Sequence, residues 1–236
     1  MENVLFKISF PAEFHAQTAV EASMALYGKL RATGKSADDI RKITIRTHEA
    51  ALRIIDKKGP LNIPADRDHC LQYMIAIPLL FGRLVSSDYE DRVAADPRVD
   101  VLREKMEIAE VRQFTPDYHD PEKRSIANSL RMELTDGTVW EETVEYPIGH
   151  KRRRKESLPL LEAKFKANLA RRISPEQQAD ILKVSLNQRA LEDTPVHEYA
   201  DLYAVERNAQ VRSVWASGAC QRFRGSTLPS AKCNFQ

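Results

Sequence analysis

SIANSLRMELTDGTVWEETVEY, residues 125–146, decides the fold class. Leu130, Met132 and Leu134 alternate with Arg131, Glu133 and Thr135, so one side of a pleated strand is apolar and the other polar. Asp136-Gly137 follows, and Val139, Glu141, Thr143 and Glu145 carry the alternation onward. An Asp-Gly pair between two such runs predicts a hairpin, because both residues tolerate the positive φ angles of a two-residue turn. With helical periods on either side, the class is α+β.

Upstream of the hairpin, Phe14, Ala19, Ala22, Leu26 and Leu30 recur at helical spacing after Phe10-Pro11, and Gly34 is the expected stop. Lys42 to Arg46 alternates like a half-buried strand, and KKGPLNIPA (57–65) reads as loop. A second helix is expected from Asp66, an acceptable N-cap, to about Gly82, with Pro78 kinking it or ending its regular part. His69 and Tyr73, four apart, would then share a face. A short helix around Asp88 to Ala95 precedes one that opens at Pro97 and ends near Glu104. Downstream, Leu158, Leu161, Phe165 and Leu169 form one helical stripe. Ser174-Pro175-Glu176-Gln177 combines an N-cap serine, a first-turn proline and a capping-box glutamine, and Ile181, Val184 and Leu191 form the next stripe. Residues 206–236 have no period, five basic residues against one acidic, and two of the three cysteines, so a disordered tail is expected there.

Composition removes several function classes. Lys+Arg 36 against Asp+Glu 34 leaves a net charge of +2, too balanced for a dedicated nucleic-acid binder. KRRRK (151–155) is the one basic run that suggests such a role, and it reads as a solvated loop after the hairpin. Cys70, Cys220 and Cys233 form no CxxC and no cluster with histidine, which argues against a disulfide framework, a structural zinc or an iron–sulfur centre. His48, His119, His150 and His197 are scattered without metal-ligand spacing, and no serine has a nucleophile-elbow context. The longest apolar candidate, Tyr73 to Leu84, holds Pro78, Gly82 and Arg83 and is too short to span a membrane. MENVLFKISFPAEFH at the N-terminus lacks the pattern of a signal peptide, so a cytoplasmic protein is expected.

Four segments resemble the MmgE/PrpD family, on its branch that dehydrates 2-methylcitrate: LFKISFPAEFHAQTAVEA (5–22), ITIRTHEAALRIIDKKGPLNIPADRDHCLQYMIAIPLLFGRL (43–84), DYHDPEKRSIAN (117–128) and EYPIGHKRRR (145–154). The likeness continues through VSLNQRALEDTPVHEYADLY (184–203), covers roughly residues 1–205 and leaves 206–236 unmatched. The resemblance implies an α+β lid-type domain over residues 1–154, with a small antiparallel sheet and helices. Residues 155–205 would be C-terminal helices that in the family pack on an N-terminal all-helical domain absent here. Met1 then corresponds to an internal position of the family, and further catalytic residues, the base among them, would lie outside this chain.

The implied reaction is loss of water from 2-methylcitrate to give 2-methyl-cis-aconitate, in propionate breakdown, with no iron–sulfur cluster, metal or other cofactor. Such a reaction needs a base, an acid for the leaving hydroxide, and cations where charge builds on the carboxylate, each well-placed donor contributing about 3–4 kcal/mol. Lys7, in the KxxFP motif, resembles the family's active-site lysine and would hold a substrate carboxylate; read alone it is a surface lysine. His15, in FPAEFHAQ, would move a proton, and read alone it is a half-buried histidine at a helix start. Tyr73, in DHCLQYMIA, resembles the active-site tyrosine and would donate its hydroxyl, where the bland reading is a core aromatic. His69 matches as a substrate-side or structural partner. The expected partners are a tricarboxylate, the absent helical domain or a full-length homologue, and a second copy of the chain as homo-oligomer, with no nucleic acid and no membrane. A relative dehydrating citrate or isocitrate or decarboxylating cis-aconitate, a non-catalytic remnant that self-associates, and a basic nucleic-acid module are the competing readings.

Overall fold

The computed structural model describes residues 10–204. Two compact units divide the chain after Phe165. The first opens with a 3-10 turn at Phe14–Ala16 and helix α1 (Gln17–Ala32), which ends as expected before Gly34 at φ 71°. Strand β1 (Ile40–Thr47) follows, then α2 (Glu49–Ile55), α3 (Pro64–Arg67), α4 (Leu71–Phe81), α5 (Asp91–Ala94) and α6 (Pro97–Glu104). Strand β2 (Met106–Glu110), α7 (Phe114–His119), β3 (Asn128–Leu134) and β4 (Val139–Val144) lead to α8 (Arg154–Leu169). In the second unit lie α9 (Pro175–Ser185), α10 (Gln188–Asp193) and α11 (Val196–Asp201). Ser174 caps α9 as expected, accepting from the Gln177 N–H. The unit boundary falls inside α8, so the first part of the expected C-terminal helices belongs to the first unit.

The sheet order is β2-β1-β3-β4. The three strands β1, β3 and β4 are antiparallel, and β2 adds a parallel edge, so the sheet is mixed rather than wholly antiparallel. A parallel neighbour requires a long crossover, and α2 to α6 supply it. One face carries Ile43, Ile45, Leu130, Met132 and Leu134, all fully buried. Ile40 and Ile43 are three apart yet both buried, because a register shift between Ile40 and Lys42 absorbs the extra residue. The opposite face is polar and laced by cross-strand pairs such as Arg46–Glu141 (2.7 Å) and Lys42–Glu107 (2.7 Å). Helices α1 and α4 complete the core, with every residue of α4 from Leu71 to Leu79 buried.

Several expectations change. The hairpin loop has three residues, not two: the Leu134 N–H donates to the Thr138 carbonyl, leaving Thr135, Asp136 and Gly137 as the loop, with Gly137 at φ 87°. The Thr135 N–H instead reaches the Asp39 carbonyl at 2.8 Å, which draws it out of the ladder. The helix expected from Asp66 is two helices, α3 and α4. Asp66 sits inside α3, its carboxylate accepting from the Asn62 and Ile63 N–H groups and pairing with Lys57. Cys70 is the N-cap residue of α4, and His69 falls in the turn between the helices, so it shares no helix face with Tyr73. Pro78 does not end α4, which runs to Phe81 before Gly82 stops it in left-handed conformation at φ 67°. The basic run 151–155 is not a loop but a 3-10 turn entering α8.

Candidate active site

The cluster forms where the carboxyl end of β1, the amino end of β3, α7 and the turn before α1 converge. Glu13 caps that turn: its carboxylate accepts from the His15 backbone N–H at 2.7 Å, which bends the chain so that the His15 ring returns to the same group. Nδ1 of His15 lies 3.0 and 3.1 Å from the two Glu13 oxygens, and Nε2 lies 3.2 Å from the Tyr118 hydroxyl. With the carboxylate on Nδ1, that nitrogen carries the proton and Nε2 accepts from the phenol. Burial pushes the Glu13 carboxyl up, but the His15 ring and two backbone N–H groups outweigh it and hold it below the usual carboxylate range.

The surroundings fix these groups. Asn128, buried at the start of β3, donates from Nδ2 to the His15 carbonyl (2.9 Å) and to Thr18 Oγ1 (2.7 Å), and Thr18 donates to the Ile126 carbonyl. The amide of Gln17 holds the preceding segment by donating to the carbonyls of Ala12 and Phe10. Helix α7 is tied to α2 through Thr115, whose hydroxyl accepts from the Glu49 N–H (3.0 Å) and donates to Glu110 (2.8 Å). His48, at the end of β1, stacks on the Tyr118 ring. Beyond α7, Arg124 has a left-handed backbone at φ 49°, alone among the described non-glycine residues, and its side chain is exposed.

Of the residues expected from the sequence, His15 is in this cluster, 6% exposed. Lys7 lies outside the described residues. Tyr73 is 1% exposed in the core, stacked near Tyr89, and its hydroxyl donates to the Asp88 carbonyl at 2.5 Å. Burial pushes its phenol up to about 12. The expectation that Tyr73 offers its hydroxyl to a substrate does not fit this placement: the group is inside and already engaged. His69 is exposed, its ring 2.6 Å from Asp68. The arginines of the basic run are also engaged: Arg152 donates to the Glu122 carbonyl and lies over Tyr146, Arg153 pairs with Glu21 and Glu156, and Arg154 donates to the Gly149 carbonyl.

Glu13 and Tyr118 went unmarked in the sequence, and His48 was set aside there as one of the scattered histidines. Glu13 stands two residues before His15, and Tyr118 stands in DYHDPEKRSIAN, so the family-like segments held the signal; their convergence on one imidazole did not show. Among the described residues no group of three or more His, Cys, Asp and Glu side chains can hold a metal. No described helix is long and apolar enough to cross a membrane.

Residues 10–189 match the MmgE/PrpD C-terminal domain. The chain is 66% identical to the 2-methylcitrate dehydratase of Escherichia coli K12 over 206 residues, which is 87% of this chain and 43% of that protein. Against the 2-methylcitrate dehydratase of Cupriavidus necator it is 65% identical with the same coverage. Against the mitochondrial 2-methylcitrate dehydratase of Yarrowia lipolytica it is 56% identical over 86% of this chain and 39% of that protein. The chain thus spans less than half the length of these relatives.

Proposed function

Because this chain belongs to the MmgE/PrpD family, we propose that it supplies the lid part of a 2-methylcitrate dehydratase, removing water from 2-methylcitrate to give 2-methyl-cis-aconitate. The observation that carries the reading is the aligned series Glu13 carboxylate, His15 imidazole, Tyr118 hydroxyl. In the resting arrangement the phenol donates to Nε2, so the series is set to take up a proton, and we assign the base to it in place of the one expected outside this chain. The C–H bond beside the substrate carboxylate breaks and its proton goes to the Tyr118 oxygen. The phenol proton moves to His15 Nε2, and Glu13 stabilises the imidazolium that forms. The electron pair left on carbon forms the double bond as the C–O bond breaks, and the departing hydroxide takes a proton from an acid in the part of the family's length that this chain does not span.

Three carboxylates need cations. Lys7, by the family resemblance, and exposed Arg124 are the groups proposed to receive them, while Arg152, Arg153 and Arg154 are occupied within the fold. The cytoplasmic setting, the homo-oligomer and the helical domain as partner belong to the same proposal.

The test is to mix the purified chain with the N-terminal half of a relative and follow the ultraviolet absorbance of the unsaturated product. Turnover on mixing is expected, with His15→Asn and Tyr118→Phe each lowering kcat about 10²–10⁴-fold, the usual range for a lost proton-transfer group. Tyr73→Phe should leave kcat within about twofold, since it removes only a core hydrogen bond. Full activity in both His15→Asn and Tyr118→Phe would sink the reading.

A further inference from the structure

His48 lies against the proton-transfer pair without being part of it. It is the N-cap residue of α2, yet its side chain caps nothing. The ring is fully buried, stacks on Tyr118 with centroids 4.7 Å apart and planes 20° from parallel, and stands 5.2 Å from the His15 ring. Its polar contacts are weak: Nδ1 is 3.4 Å from Thr47 Oγ1, Nε2 has no full hydrogen-bond partner among the described residues, and the Ala127 backbone is the one main-chain group that favours its protonated form. What it offers its neighbours is a rigid face.

Tyr118 needs such a face. Helix α7 has six residues and none of them is buried, so apart from the Thr115 tie to α2 it has little packing of its own with which to orient its tyrosine. Resting on the functional reading above, we propose that His48 is a positioning residue acting through Tyr118, the buried plate that holds the phenol where its hydroxyl meets His15 Nε2. The plate must be uncharged, because a cation 5.2 Å from His15 would oppose the imidazolium that forms during proton uptake. Burial, together with the charges of His15 and His119, keeps the ring neutral by lowering it to about 4 against the weaker pulls of the Ala127 backbone and Glu13.

Imidazole nitrogen resonances of the full chain, read by ¹⁵N NMR at neutral pH, test this without requiring turnover. Wild type and Tyr118→Phe give the His15 Nε2 shift with and without the phenol bond. His48→Ala is expected to move that shift to the Tyr118→Phe value, whereas His48→Phe, which keeps a flat face, stays at the wild-type value. Should His48→Ala not fold, His48→Leu, apolar and without a flat face, carries the same expectation. A wild-type shift in His48→Ala or His48→Leu, a His48→Phe shift that follows them, or no difference between wild type and Tyr118→Phe would each overturn the proposal. In the complemented enzyme, His48→Ala should lower kcat about tenfold with KM within about twofold, as for a group acting only on the chemical step. If the mixture never dehydrates the substrate, the functional reading fails while the nitrogen shifts still decide the role of His48.

Discussion

His48 and Glu13 make the stability of this chain depend on acidity. Buried His48 is lowered to about 4 from an ordinary 6.5, so the unfolded chain takes up its proton first. Its contribution is complete above about pH 6.5 and is lost as the pH falls toward 4. Glu13, held below the usual carboxylate range, adds a loss in the same direction at lower pH still. The His48 share amounts to about 2–3 kcal/mol, from roughly 1.4 kcal/mol per pH unit. Denaturant unfolding at pH 7, 5.5 and 4 should show that fall, and His48→Phe should flatten it. An equal fall in both proteins would mean that His48 does not titrate in this way. None of this is visible in the sequence, where His48 is one of several unlinked histidines: its burial and its nearness to His15 are products of chain path.

At the level of elements, two glycines with the same backbone strain have different surroundings. Gly34 ends α1 at φ 71° with open space where a Cβ would stand. Gly82 ends α4 at φ 67°, and a Cβ there would overlap the ring of Tyr27. Gly34→Ala should therefore cost only the left-handed conformation, about 1–2 kcal/mol. Gly82→Ala adds a clash across the α1–α4 contact and should cost about 1–3 kcal/mol more. Thermal unfolding of the two variants checks the order, and equal losses would show that Tyr27 moves aside freely. Both stops were legible as glycines after a helical period, as were α1, the hairpin strands, α6 and the Ser174 cap. Strand β2 was not: Met-Glu-Ile-Ala-Glu is as good in a helix, and only the open edge of β1 makes it a strand. Helix α7, with no buried residue, carries no periodic signal at all.

For the whole molecule, the helices after the hairpin leave large aliphatic side chains in solvent. In the first unit Leu158 and Leu160 are 55% and 43% exposed; in the second, Leu186, Leu191 and Val196 are 50%, 41% and 85% exposed. Faces of this kind are covered in stable assemblies. The purified chain should self-associate at micromolar concentration, and the N-terminal half of a relative should reduce that association. Light scattering decides: a monomer across that range would remove the expectation. The sequence by itself determined the α+β class, the apolar stripe of α1 and the family, because alternation, period and segment identity are local properties that survive without a third dimension; Leu191, expected on the stripe of α9, lies instead in α10 and is exposed. The mixed sheet, the burial of Tyr73 and the meeting of Glu13, His15, His48 and Tyr118 were decided only by the tertiary structure. Those facts join residues up to about a hundred positions apart, and no local pattern encodes which distant side chain will share a wall with which.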